Sequence, residues 1–249
     1  MKLHLPTRRA VLSAVGLIML AGLGEPALAQ GSSASQQSSG STGGTSSAAS
    51  TAIKHVDDAA AVVRTLASDT SISRLLSQAR GIYIMPRYGR AALGLGAAGG
   101  AGVFSEKRTD GTWSDPAFFN TGGISVGLQA GVEGGPVALL LMNDKALNSF
   151  RQKNNFNLSA DAGLTVVNWR AQAQGQAGAG DVVVWTGSKG LFGNVATLAI
   201  NDIRYNQKAT QAYYGKALTV QDVVSGKVSS PHSDTLKQAL SGAGGAAAR

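Results

Sequence analysis

Few residues in this chain of 249 could perform acid–base or nucleophilic chemistry. The chain has no cysteine, which excludes a thiolate nucleophile, disulfide bonds and cysteine-ligated metal sites. Outside the N-terminal leader its histidines are His55 and His232, at opposite ends of the region that could fold. Asp57 and Asp58 follow His55, but adjacent residues point to different sides of a helix. The composition therefore favours a binding protein over an enzyme or a metalloprotein, and predicts no cofactor.

One nucleotide-binding pattern occurs, because residues 94–99 read G-x-G-x-x-G and an acidic residue, Asp115, lies further on. In a dinucleotide site the last glycine of this pattern opens a helix that faces the pyrophosphate. Residues 99–102 are Gly-Gly-Ala-Gly, which is a poor helix-forming stretch. A nucleotide site is therefore not expected.

With catalytic, metal and nucleotide sites not expected, the basic residues are the remaining candidates for a binding function. Lysine and arginine outnumber aspartate and glutamate by 22 to 14, which gives a net charge of +8. A basic residue close to an anionic membrane contributes roughly 1 kcal/mol to binding. The chain has no arginine-rich helix, so nucleic acid is not an expected partner.

Hydrophobic spacing predicts helices at both ends of the foldable region. Residues 53–67 place apolar side chains on one helical face, and Asp69 could cap a second helix. Towards the end of the chain, Thr219 with Asp222, and later Ser233, are typical helix starts.

Strands are predicted between these helices. Residues 82–85, before Pro86, read as a short buried strand, and the apolar run 137–142 as a strand covered on both faces. Residues 157–174 and 181–187 read as further strands. We therefore predict an α+β fold in which an antiparallel, glycine-rich β-sheet or partial barrel has helices at both ends of the domain.

Glycines line one face of the central strands. In residues 92–96 and 123–132 glycine or another small residue alternates with larger apolar residues. Such a face is typical of close approach by another layer of the protein. The alternative is a shallow groove that holds an acyl chain or a peptide.

Residues 1–29 have the pattern of an export signal. Arg8 and Arg9 precede an apolar run, and Ala27 and Ala29 form an A-x-A cleavage site. The apolar run is short for a membrane-spanning helix. The paired arginines favour a twin-arginine signal, and an ordinary secretory signal is the alternative. We expect cleavage after Ala29 and a soluble protein in the bacterial periplasm or outside the cell.

Composition divides the rest of the chain into three segments. Residues 30–51 are rich in serine and glycine without charge, which predicts a disordered linker. Residues 52–240 are long enough for one domain with one core. Residues 241–249 are predicted to be a disordered Gly/Ala tail.

Six short sequence blocks follow one another in the predicted domain. They are GIYIMP (81–86), GV (102–103), WSDP (113–116), GLQAG (127–131), SKGLFG (188–193) and YYG (213–215). In this order they resemble the SYLF family, whose eukaryotic members are described as binding phosphoinositide lipids and actin. The resemblance implies a non-catalytic module that binds anionic membrane lipid. An exported protein would not meet actin, so actin is not an expected partner.

Basic residues at three predicted loops are the candidates for contact with lipid headgroups. These residues are Arg87 and Arg90 after the first strand, Lys107 and Arg108 before a turn, and Lys189 in a late turn. Trp113 and Phe192 are the candidates for insertion into the membrane interface, although the default role of the tryptophan is core or rim packing.

The three loops form one basic rim only if they lie at the same end of the sheet. At opposite ends their charges would merely be solvated, and Arg204, Lys208 and Lys216 become the next candidates. The alternative function is a structural or protein-interaction module of the bacterial envelope, with a protein partner and no lipid ligand.

Overall fold

A computed structural model describes residues 42–158, 163–176, 178–187 and 202–245, and these residues belong to one compact unit. The helices in this part are Thr42–Ala67 (α1), Thr70–Gln78 (α2), Asp144–Gln152 (α3), Trp169–Ala173 (α4), Gln207–Tyr214 (α5), Val220–Val224 (α6) and Asp234–Gly245 (α7). The strands are Gly81–Glu106 (β1), Ala117–Leu141 (β2), Asn155–Phe156 (β3), Val166–Asn168 (β4), Val182–Thr186 (β5) and Ile203–Tyr205 (β6). The predicted α+β fold class is confirmed.

The sheet is built around one very long hairpin. Strands β1 and β2 pair antiparallel from Gly81 opposite Leu141 to Phe104 opposite Ala117. The hairpin also folds back on itself, since the Lys107 N–H donates to the Arg80 carbonyl at 2.8 Å. The two halves of β1 are therefore neighbours, and the two ends of β2 lie on either side of them in a curled, mostly antiparallel half-barrel. Strands β6 and β5 pair with the two ends of β2, and β4 joins β5 in parallel.

Close backbone approach explains two glycines near the end of β1. A Cβ atom on Gly100 would lie 2.6 Å from the Arg87 carbonyl oxygen, and one on Gly102 would lie 2.6 Å from the Ile84 carbonyl oxygen. Only glycine lets the two halves of β1 approach so closely. Both glycines lie outside residues 92–96 and 123–132, for which the glycine face stays a prediction.

Strand β1 is much longer than the predicted strand of residues 82–85. It continues through Pro86, where the register with β2 shifts between Met85 and Tyr88. A bulge accommodates proline because it removes the need for a ladder N–H at that position. The prediction that Arg87 and Arg90 lie on a loop after this strand is therefore wrong, since both lie within β1.

Alternating residues of the strands enter two hydrophobic clusters. Ile82 and Ile84 of β1 face a layer of helices α1, α2, α5 and α7, whereas Tyr83 and Met85 face α3 and α6. The end of β2 alternates in the same way over residues 137–141. This confirms that the apolar run there is a strand covered on both faces.

Helix starts follow the predicted caps. The Asp69 carboxylate accepts the Ser71 N–H at 2.8 Å at the start of α2. Thr219 and Asp222 form a capping box at α6. Both predictions are confirmed, because a cap depends only on residues within one helical turn.

Some segment boundaries differ from the prediction. Residues 42–51, in the segment predicted as a linker, are part of α1, and residues 241–245, in the predicted tail, are part of α7. Ala52 on α1 is buried, so packing against the domain extends the helix beyond its polar sequence. The predicted signal (1–29), residues 30–41 and residues 246–249 lie outside the described part. Within that part, no helix combines the length and hydrophobicity needed to cross a membrane.

The predicted strand of residues 157–174 is only partly correct. Among its described residues, Val166–Asn168 is a strand and Trp169–Ala173 is a helix. The Asn168 side chain accepts the Arg170 N–H and caps that helix. Alternating hydrophobicity does not reveal a cap of this kind.

Candidate functional site

The predicted contact residues do not lie together. The Arg87 guanidinium is exposed and donates to the Asp58 carboxylate on α1. Arg90 lies in β1 opposite Glu133 of β2. Lys189 and Phe192 lie outside the described residues.

Trp113 is not positioned to enter a membrane. Only 3% of its surface is exposed, and it belongs to the hydrophobic cluster beneath the helical layer. The candidate interfacial role of Trp113 is therefore wrong, and its default role of core packing is correct.

Lys107 and Arg108 do lie at a turn, as predicted. The Arg108 N–H donates to the Thr112 carbonyl at 2.8 Å, and the Gly111 N–H donates to the Arg108 carbonyl at 3.0 Å. Gly111 has a φ of 81°, which favours glycine. Asp110 accepts the Thr112 hydroxyl and N–H, and these hydrogen bonds lower the pKa of the Asp110 carboxyl.

Arg87 and Lys107 are at different ends of the folded hairpin. Lys107 is paired with Arg80, and Arg87 lies seven residues further along the same strand. At about 3.3 Å per residue this separation is about 23 Å. The predicted basic rim is thus divided. Arg87 and its basic neighbour Lys54 share the Asp58 carboxylate, whereas further basic residues line a pocket beside Lys107 and Arg108.

That part of the molecule forms a pocket of about 210 Å³, which we call the basic cleft. Four basic side chains from three parts of the fold line it: Arg80 before β1, Lys107 and Arg108 after β1, and Arg151 at the end of α3. The end of α2 and Glu106 complete its wall.

Two of the four cations in the basic cleft have carboxylate partners. Arg151 holds Glu106 with two hydrogen bonds, one of which joins Nε to Oε2 at 2.8 Å, and the hydrogen bonding raises the pKa of Arg151. Arg80 Nη1 lies 2.5 Å from Asp144 Oδ2, but about half of each side chain is exposed. An exposed pair contributes only about 0–1 kcal/mol, so Arg80 could exchange Asp144 for another anion.

The other two cations contact carbonyl oxygens. Lys107 Nζ donates to the Ser77 carbonyl at 2.9 Å, where it caps the end of α2, and Arg108 Nε donates to the Val224 carbonyl at 3.3 Å. Neither has a carboxylate partner among the described residues. Arg108 Nη2 is buried and has no hydrogen-bond partner there. The basic cleft therefore has two positive charges without a salt-bridge partner among the described residues, which suits a phosphate group.

The sequence identified Lys107 and Arg108 as candidates. It did not predict that Arg80 and Arg151 lie close to them. Arg80 becomes a neighbour because β1 folds back, and Arg151 because α3 packs on the sheet. Neither contact leaves a periodic or spacing signal in the sequence. The next candidates do not form a common site either. Arg204 pairs with Asp202, Lys216 is exposed beyond α5, and Lys208 lines a different cavity.

The WSDP block has a structural role. Ser114 Oγ accepts the Glu106 N–H at 2.9 Å, which closes the turn beside the basic cleft. The buried Asp115 carboxylate accepts the Ser230 N–H at 3.0 Å and lies 3.4 Å from Lys237 Nζ on α7. The Tyr214 hydroxyl of the YYG block donates to the Pro116 carbonyl at 2.9 Å. These two blocks join the turn to the C-terminal helices.

A family model described as "Ysc84: Las17-binding protein actin regulator" matches residues 122–243. Arg151 lies inside the matched region, while Arg80, Lys107 and Arg108 precede it. No solved structure matches the chain.

Two curated relatives are SH3 domain-containing proteins. One, from Schizosaccharomyces pombe, is 28% identical over 162 residues, which cover 63% of this chain and 37% of that protein. The other, the human SH3 domain-containing YSC84-like protein 1, is 22% identical over 162 residues, which cover 64% of this chain and 47% of that protein. The chain thus spans less than half the length of these relatives.

Proposed function

Because the chain belongs to the Ysc84 family, also called the SYLF family, we propose that it is a lipid-binding module whose basic cleft holds the phosphate of an anionic phospholipid. The family is known for binding lipids and actin, and it is a binding and regulatory family rather than an enzyme family. The observation that carries the proposal is a pair of cations without a salt-bridge partner among the described residues, Lys107 and Arg108, in a pocket that Arg80 and Arg151 also line.

The contacts in the basic cleft suit a headgroup phosphate. Arg151 is held by Glu106 and keeps the wall in place. The Lys107 ammonium is already held by the Ser77 carbonyl at 2.9 Å, so little side-chain freedom is lost when a ligand binds. Arg80 and Lys107 also lie near the surface, where a headgroup could reach them.

We place this function in the bacterial envelope, to which the N-terminal signal would direct the protein. The lipid in question would then be an anionic phospholipid such as phosphatidylglycerol. The intact mass of the exported protein tests this location, since cleavage after Ala29 would remove residues 1–29.

The test of the proposed site is co-sedimentation with phosphatidylglycerol liposomes. The double variant Lys107→Gln/Arg108→Gln should bind about 30-fold more weakly, because each cation contributes roughly 1 kcal/mol near an anionic surface. Binding by the wild type should fall as salt is raised and should be absent with neutral phosphatidylcholine. Arg87→Gln/Lys216→Gln is the control, since it removes the same charge outside the basic cleft.

Undiminished binding by a double variant that keeps its melting temperature would move the site elsewhere. Failure of the wild type to bind any liposome would instead favour the second candidate, a protein-interaction module. The family description supports that candidate, because it names a protein partner, Las17, and actin regulation. Actin could be a partner only if the chain is not exported.

A further inference from the structure

A second cavity, of about 480 Å³, lies between the first half of α1 and the start of α5. We call it the α1 cavity. Ala48, Thr51, Ala52 and His55 line it from the helix, and Phe118 and Phe119 line it from β2. It is separate from the basic cleft, because the two share no lining residue.

The α1 cavity has the size and the walls of a small-molecule site. Such sites usually enclose about 300–1,000 Å³ and are mainly apolar, with a few polar groups that orient the ligand. Ala48 and Ala52 lie one helical turn apart on the same side of α1, and their short side chains leave the space open. The cavity could therefore hold an unbranched hydrocarbon chain.

Polar groups lie where α5 begins. Asn206 Nδ2 donates to Asn120 Oδ1 at 3.1 Å, while Asn206 Oδ1 accepts the Ala209 N–H at 3.0 Å. This arrangement leaves the amide nitrogen of Asn120 without a partner among the described residues. Lys208, in the first turn of α5, is exposed and has no ion pair in the described part of the chain.

Among the described residues that line the cavity, Lys208 carries the charge. No aspartate or glutamate is among its described lining residues. Burial lowers the pKa of His55, whose Nε2 lies 2.8 Å from the Ala101 carbonyl oxygen, and this favours the neutral form of the imidazole. Nearby Asp58 is held by Lys54 and Arg87, outside the cavity.

We propose that the α1 cavity binds a free fatty acid. Its hydrocarbon chain would lie against Phe118 and the alanines of α1, and its carboxylate would meet the ammonium of Lys208 and the amide of Asn120. One cation with one amide donor suits a single carboxylate, and the apolar walls suit a single acyl chain. This goes beyond headgroup binding in the basic cleft and does not depend on it.

Isothermal titration calorimetry with decanoate tests the proposal, with decanol and decyltrimethylammonium as ligands that keep the chain but change the head. We expect decanoate to bind and the cationic amphiphile not to bind. Lys208→Glu should weaken decanoate binding by about tenfold or more, because it removes a charge-assisted hydrogen bond and introduces repulsion. Lys216→Glu, the same change at another exposed lysine, should leave it unchanged.

A second pair of variants tests the cavity itself. Ala48→Trp should fill the mouth of the α1 cavity and abolish decanoate binding, whereas Ser50→Trp, at an exposed position of the same helix, should not. Full binding by Ala48→Trp, or decanol binding as tightly as decanoate, would overturn the proposal. Loss of decanoate binding in Lys107→Gln/Arg108→Gln would also overturn it, because the basic cleft would then be the site.

Discussion

The helices α3 and α1, which cover opposite faces of the sheet, present different kinds of side chain to it. On one face Phe150 of α3 contacts the rings of Tyr83, Phe104, Phe119 and Phe156, with centroid distances of 4.7–5.3 Å. On the other face α1 presents mainly alanine and valine, and the α1 cavity lies beside it. Rings fill the interior of a protein closely, whereas short side chains leave space. The comparison indicates that the aromatic face supplies stability and the helical face supplies room for a ligand.

The largest expected effect comes from breaking the aromatic face. Phe150→Ala should lower the free energy of unfolding by about 3–5 kcal/mol, because it opens a cavity among four rings. Urea denaturation measures this change, and Gln152→Ala, at an exposed position of α3, is the control. A loss below about 1 kcal/mol for Phe150→Ala would mean that this face is not the main source of stability.

A smaller loss of stability is expected from the polar contacts that hold α7 against the turn at Asp115. Asp115→Ala should lower the free energy of unfolding by about 1.5–3 kcal/mol, because it leaves the Ser230 N–H and Lys237 without their buried partner. Asp234→Ala removes the other, exposed partner of Lys237 and should cost only about 0–1 kcal/mol. Equal losses in the two variants would show that burial of Asp115 is unimportant.

The smallest effect concerns pH and the histidine beside the α1 cavity. Burial lowers the pKa of His55 below its ordinary 6.5, so the folded protein binds this proton less readily than the unfolded chain. Stability should therefore fall as pH drops below 6.5, and reach its full loss below the folded pKa. The stability of the His55→Gln variant, which keeps a donor for the Ala101 carbonyl, should change less between about pH 8 and about pH 5 than that of the wild type. Identical profiles of stability against pH for the wild type and His55→Gln would show that His55 is not the source of the pH dependence.

The sequence by itself determined the features that depend on neighbouring residues. Asp69 and the Thr219–Asp222 pair cap helices as predicted, because a cap is complete within one turn. The α+β class followed from the change between helical and strand periodicity, and the turn at Lys107 and Arg108 from its Asp-Gly pair. The resemblance to the SYLF family also came from local blocks.

Only the tertiary structure decided which distant residues meet. The fold-back of β1 placed Arg80 beside Lys107 and moved Arg87 away, and packing of α3 added Arg151 to the basic cleft. Burial of Trp113 depended on the helical layer, and the α1 cavity on α1 and α5 lying close together. Hydrophobic periodicity shows that a face is buried but not which element covers it, because that choice depends on long-range packing and backbone pairing.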